Sequence, residues 1–413
     1  MRILLLIHYW TPEVGAPQRR WNRLATSLVS RGHELAVLAP CPHYPGGCLL
    51  EDDGPHRPGS VSRDVTGAIV HRTAFRSYDA DLRRRGADQL VAAADSVRLG
   101  VRRFSGANRP DVILGSVPGL PTLPAALALG RVLRRPVVVE LRDAWPDLFM
   151  SAKQWDSSSA HAPTEAQAPR RSLGADIVGR SVRSLIPPLV TRLEREATSV
   201  VTTTDSFARV LRARGLRQVV TIRNTGSNVP PDRDRISRRP SDGALHVLYL
   251  GTVGRAQGIG CAVKAARIVG DGAQYDQVAA LARRLAAPVE MRPTVPWDQV
   301  GQHYAWADTA LVSLQDWPAL SLTVPSKLYE IMAMGLHVSA SVEGEARRIV
   351  EDAGCGDVTA PQDPEALAAL WISLAADRSR LRVTGGQRWL EDNADAEEMA
   401  QRYESLLKRV TGD

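Results

Sequence analysis

A group of charged side chains follows a β-branched run in the first half of the chain. Pro136-Val-Val-Val-Glu140 favours a strand that is buried on both faces. Arg142, Asp143 and Trp145 come directly after it. Because ligands bind at the carboxyl ends of strands in parallel sheets, these three residues are candidates for contacting a substrate. A buried Arg–Asp pair beside a packed Trp is the alternative interpretation.

A glycine-rich segment in the second half of the chain follows another apolar run. Gly251-Thr-Val-Gly254-Arg255-Ala-Gln-Gly258 comes directly after residues 246–250. A turn of this composition lets backbone amides surround a diphosphate, and the guanidinium of Arg255 would neutralise its charge. We therefore predict that Gly254 and Arg255 belong to a phosphate-binding loop.

A lysine and a glutamate lie close together at the predicted start of a helix. In Pro325-Ser326-Lys327-Leu-Tyr-Glu330, Pro325 and Ser326 are typical of a first helical turn, whose amides attract anions. Lys327 adds a positive charge there. A carboxylate beside a diphosphate is repelled unless it binds another group, and a ribose diol is a natural partner for Glu330. The alternative is that Glu330 is a solvated helix residue.

Two loops near the N-terminus contain further candidates. Gly15, between the first predicted strand and the first predicted helix, allows a ligand to approach a helix N-terminus closely, although an ordinary loop explains it as well. His43 lies between Cys41 and Cys48, but no second pair of ligands follows. We predict a loop there rather than a metal site.

Short apolar runs alternate with helical patterns through most of the chain. In the first half they predict strands at residues 2–7, 34–38, 68–72, 111–114, 136–140, 199–203 and 219–223. In the second half they predict strands at 246–250, 289–292, 309–314 and 337–342, and a helix over 258–269. The predicted fold class is α/β, with two doubly wound Rossmann-like domains facing a central cleft and a C-terminal helical tail.

Breaks in this alternation predict the domain boundaries. We expect an N-terminal domain over residues 1–224, with a mobile insertion at about 151–172. A proline-rich linker at 225–243 leads to a C-terminal domain over 244–385. Residues 386–413 are predicted to form a helix that packs back on the N-terminal domain.

The composition is typical of a globular protein. Of 413 residues, 44% are hydrophobic and 23% are charged, which excludes the disordered and fibrous classes. Four cysteines are too few for a disulfide scaffold. The longest uncharged stretch, residues 112–130, is interrupted by prolines, and the apolar run at the N-terminus is too short for a signal peptide. The sequence therefore predicts a cytoplasmic protein.

Positive charge is concentrated in the first part of the chain. Residues 1–239 carry 36 Lys and Arg against 22 Asp and Glu, whereas residues 240–413 carry 16 against 23. Six arginines fall among apolar side chains in one helical stretch, residues 83–104: Arg83, Arg84, Arg85, Arg98, Arg102 and Arg103. A basic face beside an apolar one predicts peripheral binding to an anionic surface on the inner face of the membrane. A packed helix with solvated arginines is the alternative.

Taken together, these segments resemble the retaining, nucleotide-sugar-dependent glycosyltransferases of family 4, which have the two-Rossmann GT-B fold. The similar branch of that family contains enzymes of O-antigen, capsule and exopolysaccharide assembly. The matching segments span most of the chain in the family's order: Tyr9-Trp-Thr-Pro-Glu-Val-Gly15-Ala, Arg31-Gly-His33-Glu, Pro42-His-Tyr-Pro45-Gly, Arg142-Asp143-Ala-Trp145-Pro146, Arg223-Asn224-Thr-Gly226, Gly251–Gly258 and Pro325–Gly335.

The resemblance implies a role for each candidate residue. Glu330 matches the second glutamate of the family's E-x7-E motif, which is expected to bind the ribose of the donor. The residues implied at the donor diphosphate are Gly15, Gly254, Arg255, Ser326 and Lys327. The residues implied on the acceptor side are Arg142, Asp143 and Trp145, and those implied in catalysis are Asp143, Arg255 and Lys327.

The sequence departs from the family pattern at three places. Leu322 stands at the first glutamate of the motif, which removes a usual contact to the donor sugar. Gln257 replaces a basic residue, which weakens one phosphate contact. Val269 runs directly into Gly270-Asp-Gly272, which predicts that a central strand of the second sheet is lost or replaced by another segment.

These features predict a retaining enzyme that moves a sugar from a nucleotide-diphosphate-sugar donor to a hydroxyl of a glycan, lipid-linked or small-molecule acceptor. The resemblance implies a role in cell-surface polysaccharide or glycoconjugate biosynthesis. We expect no cofactor, because the nucleotide sugar is a substrate, and no metal, because Arg255 and Lys327 would stabilise the leaving group. No nucleic-acid partner is expected. The alternatives are a nucleotide-sugar epimerase of the same fold and a non-catalytic nucleotide-sugar-binding module with a degenerate donor site.

Overall fold

The computed structural model of the protein describes residues 1–13, 15–44, 46–50, 54–78, 82–117, 119–144, 147–150, 186–226, 243–262 and 266–412. The predicted insertion at 151–172 and most of the predicted linker lie outside these residues. The chain divides into two compact units. The first unit consists of Met1–Pro146, Ser184–Arg223 and Ala396–Asp413, and the second of Asp147–Arg183 and Asn224–Asp395.

The first unit is built on an eight-stranded sheet. Its strands are β1 (Arg2–Leu6), β2 (Glu34–Pro40), β3 (Val61–Arg63), β4 (Ile69–Thr73), β5 (Val112–Val117), β6 (Val137–Leu141), β7 (Ser199–Thr202) and β8 (Val219–Thr221). The strand order is β3-β4-β2-β1-β5-β6-β7-β8, and every pairing is parallel except that of β3 with β4. The short edge strand β3 was not predicted from the sequence.

The second unit is built on a six-stranded parallel sheet. Its strands are β9 (Val247–Leu250), β10 (Arg267–Val269), β11 (Glu290–Arg292), β12 (Thr309–Ser313), β13 (His337–Ser341) and β14 (Gly356–Thr359). Their order is β11-β10-β9-β12-β13-β14. The last strand, β14, was also not predicted.

Helices connect the strands of both sheets. In chain order they are α1 (Ala16–Ser30), α2 (Leu82–Arg103), α3 (Thr122–Leu133), α4 (Asp147–Met150), α5 (186–194), α6 (Asp205–Ala213), α7 (Tyr275–Arg284), α8 (Val300–Trp306), α9 (Ser326–Ala333), α10 (Glu345–Ala353), α11 (Pro364–Ala376), α12 (Gly385–Asn393) and α13 (Ala396–Thr411). No helix of the described chain is both long and apolar enough to cross a bilayer. The two parallel sheets and the C-terminal helix confirm the predicted α/β fold class.

The apolar pattern of the sequence explains the core of the first unit. Residues Ile3 to Leu6 of β1 are buried on both faces of the sheet, as a central parallel strand requires. Leu4 lies opposite Ala36 of β2 and Ile113 of β5. The strand order reverses between β1 and β5 here, and between β9 and β12 in the second sheet. Each reversal opens a crevice at the carboxyl ends of the strands, where such sheets bind ligands.

The predicted helix over 258–269 is wrong. The segment instead contains one 3₁₀ turn, Ile259–Ala262, and then β10, and another 3₁₀ turn, Arg255–Gln257, comes just before it. β10 pairs in parallel with β9 and β11, so the central strand that the sequence appeared to lack is present. Ala266, Ile268 and Val269 are buried in this sheet. Burial between two strands outweighs the weak helical preference of the segment.

Glu140 is a buried carboxylate that joins four elements of the first unit. It is the last residue but one of β6 and is 1% exposed. Its oxygens accept hydrogen bonds from Arg20 Nε at 3.1 Å, Trp21 Nε1 at 3.0 Å, Ser116 Oγ at 3.2 Å and the hydroxyl of Tyr403. Although burial raises the pKa of Glu140, the positive charges of Arg20 and Arg142 bring it below its ordinary value.

The C-terminal tail divides between the two units. Helix α12 belongs to the second unit, whereas α13 belongs to the first. Met399, Tyr403, Leu406 and Leu407 of α13 are buried in the same apolar cluster as Trp21 of α1. Helix α13 therefore completes the core around Glu140.

We expect Tyr403→Phe to destabilise the protein by about 1.5–3 kcal/mol, since it removes a hydrogen bond to a buried charged group and leaves that charge partly unmatched. The measurement is the free energy of unfolding from urea denaturation, followed by a signal from the first unit.

The matched control is Tyr275→Phe in α7, because no hydrogen bond of the Tyr275 hydroxyl is seen among the described residues. Its expected effect is within about 0.5 kcal/mol. Equal changes for the two variants would contradict a special role for Glu140.

Candidate functional site

Contacts within the second unit hold the conformation of the loop after β9. Gly251 has φ of +130°, a conformation that L side chains rarely adopt, and a Cβ there would lie 3.2 Å from the Nζ atom of Lys327. Gln257 Oε1 accepts a hydrogen bond from the amide of Gly254 at 3.1 Å. Ser313 of β12 donates to the carbonyl of Gln257 at 2.7 Å. The residue expected to weaken a phosphate contact thus holds the loop in shape by capping one of its amides.

Lys327 lies beside this loop with its ammonium nitrogen out of contact with solvent. Nζ is 3.7 Å from the centre of the Tyr249 ring and has no hydrogen-bond partner among the described residues. Burial lowers the pKa of Lys327 to about 7, and the nearby Glu330 carboxylate opposes this shift only in part. A buried cation without a full partner is destabilising, and a bound anion would relieve it.

Lys327 is the second residue of α9 and so lies at the N-terminus of this helix. Pro325 occupies its N-cap position, and no side chain caps the first amides of the helix. Ser326 is in the first turn, and both residues are half-buried. Uncapped amides at a helix N-terminus attract anions, so this end of α9 adds to the positive potential around Lys327.

Glu330 follows one turn into α9 and is 4% exposed. The interpretation of this residue as a solvated helix residue is therefore wrong. The hydroxyl of Tyr304 lies 3.5 Å from Glu330 Oε2 and donates to it. Glu330 thus places a buried carboxylate three residues from Lys327 on the same helix, and its negative charge favours the charged form of that lysine.

Arg255 begins the 3₁₀ turn that follows the glycine-rich loop. Its side chain is half-buried, and it forms no ion pair with another described residue. The second unit therefore brings Gly254, Arg255, Ser326, Lys327 and Glu330 to the carboxyl end of one sheet, at or next to the reversal between β9 and β12.

A pocket of about 370 Å³ opens beyond the end of β12. It is lined by residues of 314–321 and by Glu343, which follows β13. Leu322 ends the adjacent 3₁₀ turn and is not part of the lining. Asp316 and Glu343 bring carboxylates to the pocket that the sequence analysis did not identify. Their positions just after two neighbouring strands were the available signal.

In the first unit, Arg142 and Asp143 follow β6, and Trp145 lies outside the described residues. Nε and Nη1 of Arg142 are buried without hydrogen-bond partners among the described residues. Burial lowers the pKa of Arg142. Burial also raises the pKa of Asp143, and the charges of Arg142 and Arg85 oppose that shift. These polar groups lie at a strand end with few protein partners, so they are available to a polar ligand.

Gly15 is the N-cap residue of α1, and its φ of −165° is extended backbone that any residue adopts. No side chain caps this helix. The backbone conformation therefore does not require glycine at position 15. Only the small size of Gly15 and its place at a helix N-terminus support its predicted role at the donor diphosphate.

Glu13, in the same loop, was not predicted as a site residue. Its two oxygens accept hydrogen bonds from the amides of Trp10, His43 and Tyr44 at 2.8–2.9 Å and from Gln18 Nε2 at 3.3 Å. This carboxylate fixes the loop after β1 to the loop after β2.

The arginine-rich stretch is helix α2, and its apolar side is covered by protein. Leu99 is 8% exposed, and Gly100 lies against Leu129 of α3. Arg85 is half-buried and donates to the hydroxyl of Tyr9 at 2.7 Å. Arg84, Arg98, Arg102 and Arg103 remain exposed, with Arg98 paired to Asp95. The exposed side of α2 is therefore basic rather than amphipathic, apart from Leu90.

Curated relatives of the chain are glycosyltransferases. The chain is 22% identical over 400 residues to the putative colanic acid biosynthesis glycosyl transferase WcaI of Escherichia coli K12, covering 89% of this chain and 91% of that protein. It is 34% identical over 135 residues to the probable glycosyltransferase WbjE of Pseudomonas aeruginosa. That second match spans 30% of this chain and only about a third, 34%, of the relative.

Solved structures with the same fold cover the whole chain. Sucrose-phosphate synthase from Thermosynechococcus elongatus has a TM-score of 0.71 at 16% identity, with 100% of this chain and 99% of that chain covered. HepE of Anabaena in complex with UDP has a TM-score of 0.63 at 16% identity, with 99% and 100% covered. These similarities show the two-domain GT-B fold.

Sequence models of two families match the two units in order. The model described as glycosyl transferase 4-like domain matches residues 15–225, which is more than half of the chain. The model described as glycosyl transferases group 1 matches residues 259–377. With its fold and both matches in agreement, the chain belongs to the glycosyl transferase 4-like family of glycosyltransferases.

Proposed function

We propose that the protein transfers a sugar from a nucleotide-diphosphate sugar to an acceptor hydroxyl, with retention of the anomeric configuration. The observation that carries the proposal is the buried, incompletely paired ammonium of Lys327 between a preformed glycine-rich loop and an uncapped helix N-terminus. HepE has been solved in complex with UDP and with UDP-glucose, so UDP is the first nucleotide to test.

Catalysis in this proposal is electrostatic. When the bond between the sugar and the diphosphate breaks, negative charge grows on the leaving diphosphate. Lys327, Arg255 and the amides of Ser326 and its neighbours stabilise that charge, and they do so more strongly in the transition state than in the bound substrate. These cations replace a metal ion at the leaving group, so the transfer step needs no cofactor.

Glu330 binds the ribose hydroxyls, and the pocket beyond β12 receives the sugar. Leu322 replaces the glutamate that would contact the sugar, so Asp316 and Glu343 supply the carboxylates that accept hydrogen bonds from the sugar hydroxyls. The alternative of a non-catalytic module with a degenerate donor site has less support, since β10 is present and the pocket has its own polar groups.

The acceptor contacts the first unit at Arg142 and Asp143. The raised pKa of Asp143 suits a carboxyl group that exchanges a hydrogen bond with an acceptor hydroxyl. The relative WcaI carries colanic acid biosynthesis in its name, which supports a glycan or lipid-linked acceptor of a cell-surface polysaccharide.

The test of the proposal is a thermal-shift screen with UDP, GDP, dTDP and their sugars, followed by product analysis with candidate acceptors. For the nucleotide that binds, Glu330→Gln should weaken donor affinity about tenfold or more, because hydrogen bonds from two hydroxyls to a carboxylate become bonds to an amide. The dissociation constants come from calorimetry.

Glu351→Gln is the matched control, because Glu351 is an exposed helix residue whose carboxylate pairs with Arg347. It should leave donor affinity unchanged. Donor conversion in the absence of any acceptor would indicate an epimerase, and binding without turnover of any sugar would indicate a non-catalytic module.

Donor binding should depend on pH through Lys327. In the free protein its pKa is about 7, and a bound diphosphate stabilises the charged form and raises that pKa. Binding above pH 7 must therefore take up a proton. We expect affinity for the nucleotide diphosphate to fall between about pH 7.5 and 9, approaching tenfold per pH unit. Calorimetry in buffers of different ionisation enthalpy measures the proton uptake.

Lys327→Met should bind the nucleotide weakly at every pH, without this proton uptake. It should also melt at a higher temperature than the wild type, because a buried cation is replaced by an apolar chain of similar length. The same pH slope in both proteins would contradict our assignment of Lys327.

Peripheral binding to anionic membranes, if it brings a lipid-linked acceptor to the enzyme, must rely on charge. Exposed arginines at the end of α2 contribute about 1 kcal/mol each near an anionic surface, and salt screens them. We expect Arg102→Gln/Arg103→Gln to reduce co-sedimentation with anionic vesicles at low salt by about tenfold or more, with no binding to neutral vesicles.

The control is Arg283→Gln/Arg284→Gln, which removes an equally exposed pair of arginines at the end of α7 in the second unit. A similar reduction by both double variants would mean that net charge alone matters. Absence of wild-type binding at low salt would favour a soluble acceptor.

A further inference from the structure

Three potential metal ligands converge inside the first unit. His8 follows β1, His43 lies in the loop after β2, and Asp88 lies in the second turn of α2. They are 4%, 0% and 0% exposed. One ligand atom of each residue lies within 4.8 Å of the other two. Residues from three separate segments thus meet at one buried point.

The three atoms at that point lack ordinary hydrogen bonds. Asp88 Oδ2 is 3.2 Å from His8 Nε2 and 3.7 Å from His43 Nε2. None of these atoms has a hydrogen-bond partner of acceptable geometry among the described residues. Since buried polar atoms are almost always satisfied, three unsatisfied atoms facing one another require an explanation.

The remaining atoms of two of these side chains are fixed by the surrounding backbone. His43 Nδ1 lies 2.7 Å from the carbonyl oxygen of Cys41, which can only accept, so Nδ1 carries the proton and Nε2 presents its lone pair. Asp88 Oδ1 accepts from the amide of Arg76 at 2.9 Å, which leaves Oδ2 for the cluster. Protein ligands to metals are commonly oriented in this way.

The spacing suits a small metal ion. Bonds of about 2.0–2.1 Å in a tetrahedral site put neighbouring ligand atoms about 3.3–3.4 Å apart. The two measured separations to Asp88 Oδ2 lie on either side of that value. Two imidazoles and one carboxylate favour zinc or another first-row transition metal over Mg²⁺ or Ca²⁺, which prefer oxygen ligands.

We propose that His8, His43 and Asp88 bind a divalent transition metal ion, with Zn²⁺ as the best match. The ion would join the carboxyl end of β1, the loop after β2 and the start of α2. None of the three ligands is among the residues assigned to the diphosphate, so this site does not depend on the proposed function. Of the segment from Cys41 to Cys48, only His43 belongs to this site, and neither cysteine is a ligand.

A buried ion pair is the rival explanation. A protonated His8 beside Asp88 would satisfy the charge of the carboxylate without a metal. Glu13, which lies 3.7 Å from His43 Nδ1, is the other carboxylate at the cluster, and its oxygens already accept four hydrogen bonds. Glu13 is therefore not needed as a ligand.

The experiment is titration of the metal-free, full-length protein with Co²⁺ and with Zn²⁺. We expect one Co²⁺ per chain, with visible absorption bands of low-symmetry coordination, and displacement of Co²⁺ by Zn²⁺. Zn²⁺ should also raise the melting temperature. His43→Gln and Asp88→Asn should each weaken Zn²⁺ binding about 100-fold or more, since each removes a direct ligand.

His246→Gln is the control, because His246 lies 3.5 Å from Asp308 in the second unit but belongs to no group of three potential ligands among the described residues. It should bind Zn²⁺ as the wild type does. The proposal is overturned if the wild-type protein binds no Co²⁺ or Zn²⁺ at micromolar concentrations, or if both ligand variants bind as tightly as the wild type. Should Asp88→Asn fail to fold, the wild-type titration and His43→Gln decide the question.

Discussion

A charge that leaves water must find partners in the protein, and this constraint organises the first unit. Glu140 meets it through Arg20, Trp21, Ser116 and Tyr403, which come from α1, β5 and α13. Arg20 in turn donates to the carbonyls of Ile222 and Arg223 after β8. Because the four partners come from three elements that are far apart in the chain, the hydrogen bonds of one carboxylate fix the relative positions of β5, β6, the first helix and the last.

The second unit resolves the same constraint differently at Lys327. Its ammonium is buried against the Tyr249 ring and leaves its hydrogen-bonding capacity unused. A buried charge whose hydrogen bonds are all made within the protein supports the folded chain. A buried charge with unused hydrogen-bonding capacity is instead stabilised when a ligand of opposite charge binds. The contrast with the fully hydrogen-bonded Glu140 is the reason why we assign Lys327 to a ligand site.

The fold was largely predictable because parallel strands buried on both faces leave a strong apolar signal, as in Val137–Val139 and Ile3–Leu6. The short edge strands β3 and β14 leave little signal, since few of their residues are buried. The predicted helix over 258–269 was wrong because its alanines favour a helix locally. Its last residues form a strand only because they pair with the neighbouring strands β9 and β11.

The residues that we assign to the diphosphate could be proposed from the sequence because turn glycines and a helix start can be read locally. Residues that act through distant partners could not be found in this way. Nothing in the sequence links Asp88 to His8 and His43, or shows that Arg85 turns inward to Tyr9. Asp316 and Glu343 each follow a strand in the sequence, but only the structure shows that they line one pocket beyond the neighbouring strands β12 and β13.

The late position of Tyr403 has a consequence for synthesis on the ribosome. Glu140 is translated 263 residues before the hydroxyl that completes its hydrogen bonding. At about 5–20 residues per second, that interval is on the order of tens of seconds. During this time the nascent first sheet exposes the apolar surface that α13 later covers, including Trp21. Emergence of α13 from the ribosome, rather than emergence of the first 223 residues, therefore sets when this half of the protein becomes native.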